Sequence, residues 1–171
     1  MLKGLGIRTL IVSNAAGGVN PTFHTGDVMV ITDQINLLPN PLIGPNIDEL
    51  GPRFPDMSEP YSRSLIALAD EVAASLGLSL QHGCYLGNTG PSYETRKEYG
   101  FYHTIGADAV GMSTTPEVIA ACHMSLPVFG LSVITNMGLE GKKATHEEVQ
   151  REGERAQQTL TRLIVGMLER M

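Results

Sequence analysis

Glu94 and Asn136 are the two side chains in this sequence that are best suited to bind an organic ring through hydrogen bonds. Each follows a strand-like run, at 83–87 for Glu94 and at 127–135 for Asn136. A carboxylate accepts hydrogen bonds, whereas a carboxamide both donates and accepts them. Side by side, they suit a heterocycle with a ring N–H, an exocyclic amine and a carbonyl, such as a 6-oxopurine. Taken singly, Glu94 is equally typical of a solvated residue at a helix start, and Asn136 of a turn.

Two apolar side chains also lie next to predicted strand ends. Tyr93 adjoins Glu94, and Met112 follows the predicted strand 107–111. Aromatic rings and thioethers pack well against the faces of flat ligands. We therefore expect Tyr93 and Met112 to form walls of the same pocket.

Two segments are typical of anion binding by backbone amides. The run 9–13 is followed by the sequence NAAGG at 14–18, which we interpret as a strand that stops in a tight turn with free N–H groups. Ser113 stands just ahead of a helix start, for which we predict Thr115 as N-cap and Pro116 as first residue. Free amides and the positive end of the helix dipole favour an anion there. The alternative for this second segment is a helix cap and nothing more.

Strand-like and helix-like runs alternate along the chain, which predicts an α/β fold with a mixed, largely parallel β-sheet flanked by helices. Sites in such folds lie at the carboxyl ends of the strands, so we expect the polar segments to line one pocket. Residues 39–60 hold six of the ten prolines and are predicted to form a long ordered loop. The predicted strands are 9–13, 28–32, 83–87, 107–111 and 127–135, and the predicted helices are 58–76, 94–105, 116–124 and a last one with a capping box at Thr145 and Glu148.

Length and charge narrow the class of protein. At 171 residues the chain is expected to form a single domain, 1–171. Its net charge is −6, from 18 acidic and 12 basic side chains, and it has no basic cluster, which argues against a nucleic-acid partner. No apolar stretch approaches the roughly 20 residues of a membrane span. We therefore expect no membrane partner and a cytoplasmic location.

The cysteines and histidines do not predict a metal site. Cys84 and Cys122 lie among apolar neighbours and are interpreted as buried thiols, with a disulfide as the alternative. The five histidines form no metal-ligand spacing, so no metal is expected.

Five motifs in this order resemble the low-molecular-mass, trimeric purine nucleoside phosphorylases. They are NAAGG, GPSYE, VGMSTTPE, ITN and THEE. The loop sequence GPRFPDMS is similar too, and the resemblance extends from Gly4 to Leu168. It implies a nucleoside phosphorylase-like fold and phosphorolysis of 6-oxopurine nucleosides (inosine and guanosine) to the free base and ribose 1-phosphate. It also implies a homotrimer that needs no cofactor and uses inorganic phosphate as co-substrate.

The resemblance assigns roles to particular residues. Asn136 and His146 are implied as catalytic residues. The implied purine-binding residues are Glu94, Asn136, Tyr93 and Met112. The implied ribose neighbours are Tyr85, Met112, His146 and, reaching towards a neighbouring subunit, Phe54. The implied phosphate contacts are the amide of Ala15 and the hydroxyl of Ser113.

The sequence departs from the family in one large respect. Members run well over two hundred residues, and their first portion, which carries a glycine-rich loop, an arginine and a histidine on the phosphate, has no counterpart here. We therefore expect a domain that is truncated at the N-terminus and matches the C-terminal portion of the family. Two alternatives remain open: a purine-binding module without catalysis, and an inactive fragment that needs a partner segment.

Overall fold

A computed structural model describes residues 1–138 and 145–171, and for His146 and Glu148 it describes only the backbone. The side chains of His146 and Glu148, to which the sequence assigns a catalytic role and part of a capping box, thus lie outside the described residues. The chain begins with a 3-10 helix, Leu2–Leu5. The strands are β1 Leu10–Gly18, β2 Val28–Asn36, β3 Gln81–Gly87, β4 Ala109–Gly111 and β5 Val128–Met137, and the helices are α1 Arg63–Leu76, α2 Arg96–Thr104, α3 Thr115–His123 and α4 His146–Leu168.

The five strands form one mixed sheet that closes into a barrel in the order β1-β4-β3-β2-β5. The predicted α/β class and the mixed sheet are confirmed. The sheet is, however, a closed barrel and not the largely parallel sheet that the sequence predicts. Strands β1–β5, β2–β3 and β3–β4 pair in parallel, whereas β1–β4 and β2–β5 pair antiparallel. The two antiparallel contacts are short and close the ring, with β1 meeting β4 only at Gly17 and Gly18.

The predicted turn at 14–18 is wrong, because these residues belong to β1. They pair with β5 as far as Gly18 opposite Met137. The two glycines serve close packing here: a Cβ atom on Gly17 would lie 2.8 Å from the Tyr99 hydroxyl, and one on Gly18 would overlap Met137. Small residues therefore let β1 continue between neighbours that leave no room for a side chain.

The described core has three clusters of buried residues. The first packs strand residues against α3 and includes Met29, Ile31, Val118 and Ile134. In the second, α1 and α4 pack on β2 and β5, and its fully buried members include Val72, Phe129, Leu131, Leu163 and Met167. The third joins Tyr99 and Tyr102 of α2 to Leu86 and Val110. Burying each such side chain contributes about 1.5–3 kcal/mol. The packing fixes the strands whose ends carry the polar segments.

The proline-rich loop is confirmed as a segment without helix or strand between β2 and α1. Helix α1 begins later than the sequence indicated, with Ser62 rather than Ser58 as its N-cap. It ends as predicted at Gly77, whose φ of 66° is left-handed and is therefore accessible to glycine at little cost.

Candidate active site

A cavity of about 340 Å³ lies where β1, β4 and β5 meet the segment before α2. It brings together residues from all four polar segments that the sequence singled out. Its lining includes Asn14, Ala15, Tyr93, Glu94, Tyr99, Met112, Ser113, Thr135, Asn136 and Val149. The expectation that these segments line one pocket agrees with this geometry.

The reason for that convergence differs from the one the sequence suggested. Four strand ends at one edge of a parallel sheet were expected, yet β4 runs antiparallel to β1, with Gly17 opposite Val110. The end of β1 therefore meets the start of β4, and the residues after β4 return towards Ala15. Gly111 makes this approach possible, since a Cβ atom there would lie 3.3 Å from the carbonyl oxygen of Ala15.

Glu94 presents a carboxylate oxygen that has no hydrogen-bond partner in the described part of the chain. It precedes α2, which begins at Arg96 and not at Glu94, so its side chain is not part of the helix. The helix start has its own capping box, in which the Glu98 carboxylate accepts from the Thr95 amide. Glu94 Oε1 is buried and has no hydrogen-bond partner among the described residues. A buried acceptor without a donor is costly, so this oxygen is suited to receive an N–H group from a ligand.

Asn136 lies close to Glu94 through a shared neighbour, Tyr99. The Asn136 Nδ2 atom donates to the Tyr99 hydroxyl at 3.4 Å. Burial first, and then the charge of the nearby Glu94 carboxylate, raises the pKa of Tyr99 to about 12. Glu94 and Asn136 therefore share Tyr99 as a neighbour and line the same cavity.

Tyr99 is a site residue that sequence reasoning missed. It is three residues before Tyr102 on α2, and both are buried, so the pair has the spacing of ordinary core residues. The tyrosine hydroxyl was the one indication in the sequence of a polar environment, because a buried tyrosine usually requires a hydrogen-bond partner.

The other end of the cavity is built from small polar groups. Asn14 Nδ2 donates to Thr114 Oγ1 at 2.8 Å, and Thr114 Oγ1 lies 3.1 Å from Ser113 Oγ. Asn14 Oδ1 is buried without a partner among the described residues. Thr114 has a φ of 74°, a strained conformation for a β-branched residue that is typical of functional sites. Thr114, and not Thr115 as predicted, is the N-cap of α3.

Two predicted site residues do not line this cavity. Tyr85 is fully buried, and its hydroxyl packs against Gly111, where a Cβ atom would overlap it. Burial raises the pKa of Tyr85. Phe54 is 87% exposed and lines a different cavity of about 480 Å³ in the proline-rich loop.

Among the described side chains, no group of three from histidine, cysteine, aspartate and glutamate is placed to hold a metal ion. Cys84 and Cys122 are both free thiols. In the part of the chain that the structure describes, no helix combines the length and the apolar character needed to cross a bilayer.

Comparison with known proteins supports the resemblance drawn from the motifs. The purine nucleoside phosphorylase 1 of Geobacillus stearothermophilus is 48% identical over 174 residues, which covers 100% of this chain and 64% of the relative. The purine nucleoside phosphorylase of Mus musculus is 47% identical over 175 residues, covering 96% of this chain and 61% of the relative. The chain thus spans somewhat less than two thirds of these relatives.

Solved structures show the same likeness in three dimensions. A Schistosoma purine nucleoside phosphorylase in complex with hypoxanthine superposes with a TM-score of 0.96 at 39% identity, covering 99% of this chain and 64% of that one. The Schistosoma enzyme in complex with guanosine also gives 0.96 at 39% identity, covering 99% and 65%. The family model of the phosphorylase superfamily matches residues 1–169. The chain therefore belongs to the phosphorylase superfamily.

Proposed function

We propose that the protein catalyses, or supplies the purine site for, phosphorolysis of 6-oxopurine nucleosides such as inosine and guanosine. The observation that carries this proposal is the buried, unpartnered Oε1 of Glu94 beside Asn136 in one cavity. Similar solved enzymes are described in complex with hypoxanthine, guanosine, inosine and adenosine, which supports purines as the class of ligand.

The base would bind by its edge between Glu94 and Asn136. Glu94 accepts from the ring N–H, and from the 2-amino group of guanine, while Asn136 engages N7 and the 6-oxo group. A charge-assisted hydrogen bond of this kind contributes about 1.5–3 kcal/mol. Tyr93 and Met112, which line the cavity and are 45% and 39% exposed, would cover the faces of the ring.

Phosphate and ribose would occupy the end of the cavity near Ser113. The Ser113 hydroxyl and the Ala15 amide are the proposed phosphate contacts, and Met112 adjoins the ribose. The roles proposed for Tyr85 and His146 at the sugar rest on the family resemblance. Phosphate is a co-substrate, and no cofactor is proposed.

The chemistry follows from charge development in the transition state. A phosphate oxygen bonds to C1′ of the ribose as the C1′–N9 bond breaks, and the electron pair leaves with the purine. The proton that phosphate loses ends on the released base. Positive charge on the ribose is stabilised by the phosphate, and negative charge on the purine by the Asn136 amide at N7. The amide does this without changing its own protonation state.

A homotrimer in the cytoplasm completes the proposal. Phe54 would reach across the subunit interface and cover the sugar in the neighbouring subunit. Its 87% exposure in the isolated chain supports a role outside its own core.

A second candidate function is purine binding without turnover. It is favoured by the composition of the cavity, because the described lining residues include no lysine, arginine or histidine. A phosphate there would be held by amides and hydroxyls alone, which neutralise less charge than a cation does.

One pair of measurements on the full chain separates the two functions. We expect phosphate-dependent release of hypoxanthine from inosine, and binding of guanine in a calorimeter that weakens at least tenfold in Glu94→Gln. Glu117→Gln, which removes an exposed carboxylate outside the cavity, serves as the matched control and should bind normally. Binding without hypoxanthine release would establish the purine-binding module instead. Failure of the wild-type chain to bind any purine would refute both.

A further inference from the structure

Tyr99 is closely packed on several sides. Its side chain is only 5% exposed. A Cβ atom on Gly138 would overlap its ring, and one on Gly17 would lie 2.8 Å from its hydroxyl oxygen. A glycine in β1 and another directly after β5 therefore leave room for the Tyr99 side chain. Tyr99 nevertheless lines the cavity together with Glu94 and Asn136.

The chemistry of its neighbours determines which way each hydrogen bond runs. A carboxylate only accepts, and hydrogen bonding with Glu94 is one of the causes that raise the pKa of Tyr99, so the Tyr99 hydroxyl faces Glu94 with its proton. Its lone pairs are then left for Asn136, which donates from Nδ2 at 3.4 Å. A carboxamide turned the other way would set its oxygen against the phenol oxygen, with no proton between them. Tyr99 therefore holds the NH₂ group of Asn136 on the side of Glu94.

The second neighbour of Asn136 cannot impose this orientation. Thr135 Oγ1 lies 3.3 Å from Asn136 Oδ1 and 3.3 Å from the carbonyl oxygen of Ala16. A hydroxyl donates one hydrogen bond and accepts others. When its proton goes to Ala16, Thr135 accepts an NH₂ group as readily as it donates to an oxygen. The choice between the two orientations thus depends on Tyr99.

We propose that Tyr99 is a positioning residue that sets the purine preference by fixing the carboxamide of Asn136. This inference rests on the proposed function, because it concerns the base that the site accepts. With its orientation fixed, Asn136 offers an N–H to the acceptor edge of a 6-oxopurine. Without the Tyr99 hydroxyl, the carboxamide can turn and offer Oδ1 to a 6-amino group.

The test compares two tyrosines on the same helix. Tyr99→Phe keeps the ring and removes the hydroxyl. Tyr102→Phe is the matched control, since Tyr102 is 4% exposed and its hydroxyl accepts from Asn88 at 2.9 Å, outside the cavity. Dissociation constants for hypoxanthine and adenine are measured by calorimetry on the full-length wild type and both variants.

We expect Tyr99→Phe to lower the ratio of hypoxanthine to adenine affinity about tenfold, whereas Tyr102→Phe leaves the ratio unchanged. A general loss of stability would weaken both ligands together and would not move the ratio. Equal ratios in the two variants, with wild-type binding intact, would overturn this inference and leave the proposed function standing. A wild type that binds neither base would remove the proposed function and this inference together.

A second measurement does not depend on the folding of Tyr99→Phe. Tyrosinate absorbance is followed through an alkaline titration of the wild type and of Glu94→Gln. We expect one tyrosine to titrate at lower pH in Glu94→Gln, because its phenol proton no longer faces a charge. Identical titration curves would show that Glu94 does not hold that proton, and the inference would fail.

Discussion

Two cavities in this chain differ in the hydrogen bonding of the polar atoms in their walls. They are the strand-end cavity, which Glu94 and Asn136 line, and the loop cavity, which Phe54 lines. At the strand ends, Glu94 Oε1 and Asn14 Oδ1 are buried without partners among the described residues. At the cavity beside the proline-rich loop, two polar side chains of the lining have partners: Gln34 accepts from Tyr61 at 2.9 Å, and Arg53 donates to the carbonyl of Leu42 at 2.9 Å. The loop instead leaves apolar side chains exposed. These include Ile43 at 81% and Phe54 at 87%.

The difference indicates two kinds of partner. Unpartnered buried polar atoms fit a small polar ligand, because only a hydrogen bond repays their desolvation. Exposed apolar side chains, beside polar groups that already have hydrogen-bond partners, are suited to contact the surface of another protein. Size does not separate the two, since the loop cavity is the larger, at about 480 Å³ against about 340 Å³. The following experiments test this assignment, from the largest expected effect to the smallest.

Asn136→Ala should have the largest effect on catalysis. If the amide stabilises charge that develops only in the transition state, the change lowers kcat by roughly 10²–10³ and weakens nucleoside binding less. Steady-state kinetics with inosine and phosphate measure the split between kcat and KM. Asn40→Ala, at the loop cavity, is the control and should leave both unchanged. Loss of inosine affinity with kcat intact would contradict the role of Asn136.

Substituting one glycine in each region compares the strand-end cavity with the proline-rich loop through steric clashes. Gly138→Ala would overlap the Tyr99 ring, and Gly51→Ala would overlap the backbone carbonyl of His123. Each should cost about 1–3 kcal/mol in the free energy of unfolding, measured by denaturant titration. Only Gly138→Ala should also weaken guanine binding, because only its clash displaces a cavity residue. Equal loss of guanine binding in both variants would mean that the two regions are not independent.

Prediction from the sequence succeeded where short-range pattern carried the information. All five strands fall where apolar runs predict them, and Glu94, Asn136, Tyr93, Met112, Ala15 and Ser113 share one cavity as expected. The barrel was missed because the antiparallel contact of β1 and β4 joins residues that are about 90 positions apart. The turn at 14–18 was wrong because glycine serves a tight turn and a close approach equally well. Tyr99 was missed because its spacing from Tyr102 is that of a core pair.

Tyr99 should also make the strand-end cavity sensitive to alkali. Its Tyr99 has a pKa raised to about 12, mainly by burial, above the ordinary 10. A raised pKa favours the protonated form in the folded state. The stabilisation is therefore complete below about pH 10 and is lost as the pH rises towards 12. Unfolding by urea at pH 8 to 11.5 should show a smaller loss in Tyr99→Phe than in the wild type. An equal loss in both proteins would contradict this account.

Asp56 in the proline-rich loop has a pKa shift of the opposite sign. The pKa of Asp56 is lowered by hydrogen bonds from the amide and hydroxyl of Ser58, both at 2.9 Å. A lowered pKa favours the ionised form in the folded state, so this contribution is present above about pH 4 and is lost in acid. Because Asp56 is exposed, the effect on global stability should be small and is best sought as local proteolysis of residues 51–58 at low pH, with Asp56→Asn as the comparison.

Phe54→Ser should change the stability of the chain least and its assembly most. The ring is 87% exposed and its contacts include Arg53, whose guanidinium lies 5.7 Å from the ring centroid. The free energy of unfolding should therefore move by about 0.5 kcal/mol or less. Sedimentation velocity should show dissociation of the proposed trimer, whereas Leu168→Ser, which removes another side chain that is 57% exposed, should leave it assembled.

Phe54→Ser also distinguishes binding of the sugar from binding of the base. Phe54 is proposed to cover the sugar in a neighbouring subunit, whereas Glu94 and Asn136 hold the base within their own chain. Inosine affinity should therefore fall in Phe54→Ser while guanine affinity stays at the wild-type value. If guanine binding fell as well, the strand-end cavity would depend on the loop of another subunit. The base site would then be a property of the assembly and not of one chain.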